Sequence, residues 1–371
     1  MSATRPTLSQ VARRAGVSIS TASLAFSESG PIAVTTREKV LTAAKELGYT
    51  GPSALGRQLR SGKTGIVGVV IGDAIRRGFR DPVLVSSLDG LVRTLGENGL
   101  GVLLIPGDSE EHNEHGTHPL VQTAAMDAGI LLWGGNTNDP AYRAMRQRNI
   151  PVVIAEGQRI DGAPHLGLDD RTGMRKMAEH LRSLGHQHIA CVTLSLNTGD
   201  APGLVSSQSI AADRIAGDAQ ADPATDHLPS RARLRGVLDA GVTPTAIWQA
   251  RSSLIEDGQQ AARALLDPAT YPDGVLPTAI MAQSDLLAAG VLQQAREMGF
   301  DVPRQLSVTG FDGVDLPWLG GDRLTTVRQP LPGKGEMIGS IVVSLLEHGA
   351  IRQEVLDVEF VAGNTAGPAP Q

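Results

Sequence analysis

A chain of 371 residues with 41% hydrophobic and 19% charged residues has the balance of a soluble protein of two or three domains, and no apolar run of about 18 residues could span a membrane. Its single cysteine, Cys191, rules out a disulfide framework within the chain and suits a reducing, cytoplasmic compartment. The net charge of −6 is divided unevenly: residues 1–63 hold nine Lys/Arg against three Glu (+6), so the remainder carries −12.

Such a basic head draws phosphate to one end of the chain while the acidic remainder repels it. The first residues carry Arg5, Arg13 and Arg14 without an apolar core, so no secretory signal is expected there. Leu8, Val11, Ala12 and Ala15 recur at helical spacing and predict a first helix that Gly16 ends. Ser18 is placed to cap a second helix carrying Thr21, Ala22, Ala25 and Phe26. Only Gly16, Val17 and Ser18 separate the two, which is the short glycine turn of a helix-turn-helix, with Val17 filling the angle. Thr35 with Glu38 predicts a capping box for a third helix that buries Val40, Leu41, Ala44 and Leu47 and stops at Gly48.

Thr7-Leu8, Val11-Ala12-Arg13, Ala15-Gly16-Val17-Ser18 and Thr21-Ala22-Ser23 stand in order and spacing like the head of the LacI/GalR family, which this chain resembles. Thr36-Arg37, Val40, Ala43 and Glu46-Leu47-Gly48-Tyr49 extend the match, and Arg57-Gln58-Leu59-Arg60-Ser61-Gly62-Lys63-Thr64 resembles that family's hinge helix. The resemblance implies a second helix lying in the major groove, with Ile19, Ser20 and Leu24 toward base edges. Ser18, Thr21 and Ser23 would then lie nearer phosphates, with Thr7 also among the DNA contacts. Ile19 and Leu24 offer no hydrogen bond and could recognise only apolar surface such as a thymine methyl. The helical period alone also admits Leu24 as a core residue. In the hinge, the resemblance makes Leu59 a wedge into a minor-groove step, beside Arg57 and Arg60. Gly56 stands where the family has Ala and costs about 0.5–1 kcal/mol in a helix, so this hinge should be reluctant to form away from DNA.

From Thr64 on, strands and helices alternate. Strands are predicted at 66–71, 100–105, 130–133 and 152–154, with a helix at 83–98. The second half continues with helices at 173–184, 231–240, 258–266 and 286–298 and strands at 189–193, 245–248, 279–282 and 307–310. Alternation of this kind makes an α/β body with parallel sheets, and some 300 residues are too many for one sheet, so two lobes are expected.

Asp169-Asp170 with Gly173, His180-Leu181 with Gly185-His186, Ser284-Asp285, Gly310-Phe311-Asp312 and Leu324 through Pro330 carry the resemblance across this body. It implies a three-helix helix-turn-helix head plus a periplasmic-binding-protein-like body of two Rossmann-like lobes. The expected divisions are 1–50 for the head, 51–64 for hinge and linker, 65–163 plus 331–357 for the first lobe, 164–327 plus 358–366 for the second, and 367–371 for a disordered tail. Ligand contacts belong just after strand ends in the cleft between lobes. Carried over by position, Arg233 matches the family's effector-binding arginine and Asp312 its hydroxyl-accepting aspartate, while Ser284 occupies the usual asparagine position. On the residues alone, Asp312 could instead cap a segment and Arg233 could belong to a solvated run with Arg231 and Arg235. Trp248, near a strand end, is the aromatic expected with them, although each of Trp133, Trp248 and Trp318 also suits core packing.

Other signals are weaker. Gly56 with Gly62-Lys63-Thr64 approaches a phosphate-binding loop, but the glycine spacing is one residue too long and no strand precedes it. His112, His115 and His118 with Glu111 and Glu114 read as a solvated loop and not as a metal site. Residues 195–230, rich in Ala, Asp, Gly and Pro, read as a poorly packed insertion. No serine-nucleophile elbow is present, and Asp169 and Asp170 project differently, so no enzyme activity, cofactor or metal is expected. The expected protein is a dimeric, or tetrameric, DNA-binding transcriptional repressor that recognises a near-palindromic operator and senses a small molecule such as a sugar. The alternatives are a periplasmic-type ligand-binding protein without a DNA role and a nucleotide hydrolase.

Overall fold

The computed structural model describes residues 6–26, 32–51, 62–72, 78–107, 116–196, 201–205 and 228–371, in two compact units, 1–64 and 65–371. The described residues of the first unit form three helices. α1 (Leu8–Ala15) starts at a reciprocal capping box in which Thr7 takes the Gln10 N–H and Gln10 Oε1 takes the Thr7 N–H at 2.7 Å. Gly16, at φ +67°, ends it and leads directly into Ser18, whose Oγ accepts the Thr21 N–H at 3.0 Å and caps α2 (Ile19–Ala25). α3 (Val34–Leu47) closes at Gly48 in the same left-handed conformation. The core is made of small side chains: Val11, Ala12, Ala22, Ala25, Val40, Ala43 and Ala44. Val17 is half-buried against it, and Phe26 meets Tyr49 edge-on at 5.5 Å.

Two expectations for α3 need correction. The Thr35–Glu38 box does not form, because the helix begins at Val34 behind Ala33, which offers no capping side chain. That start turns Val40, Ala43 and Ala44 inward and leaves Leu41 and Leu47 exposed.

The second unit runs β1 (Ile66–Ile71), α4 (Pro82–Glu97), β2 (Gly101–Pro106), α5 (Pro119–Thr123), β3 (Ala128–Leu132), α6 (Pro140–Gln147), β4 (Val152–Ala155) and β5 (His165–Leu168). It continues with α7 (Asp170–Ser183), β6 (Ile189–Thr193), β7 (Gly203–Val205), α8 (Pro229–Asp239), β8 (Ile247–Gln249), α9 (Ile255–Leu265), β9 (Ala279–Ala282), α10 (Asp285–Glu297) and β10 (Ser307–Thr309). β11 (Thr326–Arg328), α11 (Leu331–His348), β12 (Gln353–Leu356) and β13 (Glu359–Val361) complete it.

The first lobe is a parallel six-stranded sheet in the order β12-β5-β4-β3-β1-β2. The second is β10-β9-β6-β8-β7, parallel except for the antiparallel edge strand β7. Its strands are near-continuous apolar runs because helices cover both faces. The chain passes between lobes after β5, after β11 and after β12. α11 returns to the first lobe and packs backbone to backbone on α4, where a Cβ on Gly335 would strike the Ser87 carbonyl oxygen.

The expected first crossing at 163–164 falls one strand early. His165–Leu168 pairs with both β4 and β12, and its four residues, one of them glycine, gave no strand pattern of their own. The strand expected through Trp133 stops at Leu132, since Trp133 takes φ +59°. Nor is the tail 367–371 disordered: Gly367 N–H donates to Ser307 Oγ at 3.0 Å, and Ala369 N–H donates to Leu184 O at 2.9 Å. Within the expected insertion, 197–200 and 206–227 lie outside the described residues, whereas Gly203–Val205 is the edge strand β7. No described helix is long and apolar enough to cross a membrane.

Candidate functional site

In the first unit, α2 buries Ala22 and Ala25 and turns Ile19, Ser20 and Leu24 outward. Ile19 and Leu24 are 56% and 40% exposed, which removes the core reading of Leu24. Ser18 Oγ also sits 2.7 Å from Ser20 Oγ and 2.8 Å from Thr21 Oγ1, so the helix opens on a cluster of hydroxyls. A rigid helix thus presents two bare apolar side chains above a polar N-terminal turn. The polar turn suits phosphate, and the apolar pair suits a methyl-bearing groove.

In the second unit a cleft of about 900 Å³ opens beyond the strand ends of both lobes. Its floor is a chain of buried polar side chains. From the first lobe, Glu156 Oε1 accepts Trp133 Nε1–H at 3.2 Å and Lys334 Nζ at 2.7 Å. Lys334 also donates to Gln329 Oε1 at 2.9 Å, and Gln329 Nε2 donates to Asp312 Oδ1 at 2.6 Å. Arg233 of α8 lies 3.9 Å from that same Oδ1, donates to Asp170 Oδ1 at 2.7 Å and to Gln283 O at 2.5 Å, and stacks on Phe311 at 3.7 Å. The chain of bonds crosses from lobe to lobe through Gln329, at the second crossing. Trp133, Glu156 and Asp312 each hold a positive φ (59°, 55° and 127°), a strained backbone that aims strand-end side chains into the cleft.

At the floor and just behind it, negative groups outnumber positive ones: Glu156 and Asp312 line the cleft with Arg233, and Asp170, Asp285 and Lys334 lie behind them, all buried. Burial pushes the Asp170 carboxyl up to about 6 despite Arg233 beside it. Burial likewise pushes Asp285 up to about 6, opposed by its bonds from Thr326 Oγ1 at 2.6 Å and Val314 N–H at 2.9 Å. Asp312 is raised well above its ordinary value by burial, with Arg233 opposing and Asp285 adding to it. Next to the cleft, Arg80 of the first lobe pairs with Glu256 of the second, and that bond lowers the Glu256 carboxyl.

Residues 7–51 match the lacI family of bacterial regulatory proteins. Residues 65–210 match the periplasmic binding proteins and sugar binding domain of the LacI family, and 178–365 a periplasmic binding protein-like domain. The HTH-type transcriptional regulator Rv3575c of Mycobacterium tuberculosis is 33% identical over 371 residues, covering 98% of each chain. The chain belongs to the LacI family of bacterial regulatory proteins.

Two solved structures share its fold. The complex of the transcriptional regulator CelR with cellobiose is 25% identical with a TM-score of 0.64, covering 98% of this chain and 100% of that one. The lac repressor dimer bound to operator and the anti-inducer ONPF is 21% identical with a TM-score of 0.75, again covering 98% and 100%. This LacI-family chain is a DNA-binding transcriptional regulator with a helix-turn-helix head and a two-lobed body.

Among the residues singled out from the sequence, Arg233, Ser284 and Asp312 meet in the cleft. Arg233 is not a solvated-face residue, and Asp312 caps nothing; its oxygen goes to Gln329. Ser284 caps α10 through the Leu287 N–H at 3.1 Å and accepts Ser253 Oγ–H at 2.8 Å. Trp248 is a correction: it is not a cleft residue. It sits mid-strand in β8 with its ring against the apolar cluster of the second lobe, while Trp133 is the tryptophan at the cleft. In the head, Thr7 and Ser18 serve as helix caps, and Ser23 is half-buried. Arg57, Leu59 and Arg60, with Gly56, fall outside the described residues, as do His112 and His115; His118 caps α5 through the Leu120 N–H at 3.2 Å. Sequence reasoning missed Glu156, Asp170, Gln329 and Lys334. Glu156 could have been found, since a polar residue directly after a strand and before Gly157 is the pattern expected of a cleft contact.

Proposed function

We propose that this regulator is a repressor, working in the cytoplasm, that binds a near-palindromic operator as a homodimer and is switched by a small polyhydroxylated molecule, a sugar in the first instance, held between the lobes. The observation that carries the effector reading is Asp312. One of its oxygens is committed to Gln329, and no donor among the described residues is bonded to the other, in a buried position lining the cleft. A free carboxyl oxygen there can pair with a ligand hydroxyl, accepting from it when ionised and also donating to it when protonated. The CelR relative, solved with cellobiose, supports a sugar-sized ligand. Val85 and Val92, seven residues apart on α4 and 48% and 51% exposed, form the apolar stripe that supports a dimer surface.

The switch is a shift between two arrangements of the lobes. A ligand that bridges Asp312 and the first-lobe side chains favours one of them, and its differential affinity sets how far occupancy of the operator moves. The test is fluorescence anisotropy with duplexes carrying palindromes from the DNA upstream of the gene, with and without candidate sugars. Binding to a palindrome but not to its scrambled form, altered by a sugar that loses its effect in Asp312→Asn, is the expected result. Failure to bind any duplex at low salt would remove the reading. Deleting residues 1–64 should abolish DNA binding and leave ligand binding intact.

A further inference from the structure

The charges facing the cleft are not equally committed. On the first-lobe wall Asp81 Oδ1 accepts the Val83 N–H at 2.8 Å, and Asp139 Oδ1 accepts those of Ala141 and Tyr142 at 2.7 and 3.2 Å. On the floor, Arg233 and Lys334 are paired with Asp170 and Glu156. On the second-lobe wall stand Arg231, half-buried, and Arg251, exposed, and no carboxylate among the described residues pairs with either. Arg231 lies in the first turn of α8, whose N-cap Leu228 supplies no side-chain hydrogen bond. A cation at the positive end of a helix is unfavourable by itself. The same wall carries the hydroxyls of Ser252, Ser253 and Ser284.

We propose that the ligand of this cleft is a polyol or sugar bearing an anionic group, a phosphate or a carboxylate. Its hydroxyls lie on Asp312 at the floor and its anion on Arg231 and Arg251 at the second-lobe wall. The proposal rests on the reading of the cleft as an effector site. The lining fixes the orientation: at the floor Glu156 and Asp312 flank Arg233, which is already committed to Asp170, so the charged end lies toward Arg231 and Arg251, whose guanidinium groups have no carboxylate partner among the described residues and match phosphate or carboxylate oxygens in pairs. A cleft of about 900 Å³ has room for such a molecule, as ligand sites run from roughly 300 to 1,000 Å³.

Calorimetric titration of the full chain with matched probes tests this: glucose, glucose 6-phosphate and gluconate; glucitol and glucitol 6-phosphate; ribose and ribose 5-phosphate; and inorganic phosphate alone, at fixed ionic strength. At least one anionic probe should bind about tenfold or more tightly than its neutral partner, with the phosphate and carboxylate arms showing which anion is preferred. Arg231→Gln/Arg251→Gln should lose that advantage, keep the affinity for the neutral partner, and still bind DNA, which shows that it is folded. Neutral probes binding as tightly as their anionic partners would overturn the proposal and leave the effector reading standing, as would an anionic advantage that survives in the double variant. If no probe of either kind binds, the proposal and the effector reading fall together.

Discussion

At the scale of single residues, the head and the body are specified in opposite ways. Ile19 is 56% exposed on a helix whose partner faces are already packed, so its side chain has no structural duty in the head. Replacing it by Ala should remove about 1–2 kcal/mol at base pairs that offer a methyl group and leave others unchanged, because only apolar area is lost. Binding to a set of single-base operator variants reads this directly, with an unaltered salt dependence; uniform weakening across the set would mean that Ile19 does not read bases. Arg233 is the contrary case, 3% exposed and holding Asp170, Asp312 and the Gln283 carbonyl together. Arg233→Gln should cost about 3–5 kcal/mol in urea unfolding, since it strands buried carboxylates.

At the scale of elements, what the sequence discloses is what is local. Ser18 is legible as a cap because the helix it starts needs an oxygen at that position. Ser18→Ala should accordingly lower the stability of the head by about 0.5–2 kcal/mol, seen as earlier loss of helical signal and weaker operator binding with unchanged base preference. Apolar runs such as Ile66–Ile71 and Ala279–Ala282 are equally plain, because strands covered on both faces leave no room for polar side chains. Features made by contacts distant in sequence are not. Lys334 stands between glycines with nothing nearby to mark it as buried, and its partner Glu156 is 178 residues away. β5 is a strand only because β12 and β4 flank it. The run Arg231, Arg233, Arg235 looks uniform, yet the helix puts only Arg233 into the floor. The tail after residue 366 is ordered by carbonyls and hydroxyls of the second lobe that no reading of its own composition could supply.

At the scale of the whole molecule, the two lobes are joined by buried charge at the floor and by an exposed pair, Arg80 with Glu256, near the cleft. The exposed pair is solvated, so Arg80→Ala should change ligand affinity by less than about 1 kcal/mol, with the difference vanishing at high salt in the same titration. The buried floor has larger consequences for pH. Asp170 and Asp285 hold their protons up to about 6 in the folded chain against 3.8 for a free carboxyl, because burial disfavours their charged forms. Between these values the folded state binds more protons than the unfolded one, so their contribution makes stability fall as pH rises, levelling off above about 6. Asp239 and Glu256, lowered by Arg171 and Arg80, act in the other direction: their stabilisation is present above the ordinary carboxylate range and is lost as pH falls below it. Asp170→Asn imitates the protonated side chain and isolates the first effect. The difference between its unfolding free energy and that of the native chain should shift in the variant's favour as pH rises from about 4 to 6 and stay constant above about pH 7. Curves parallel over the whole range would mean that Asp170 titrates as a solvated carboxyl, and the floor would then not be the closed, charge-strained element that couples one lobe to the other.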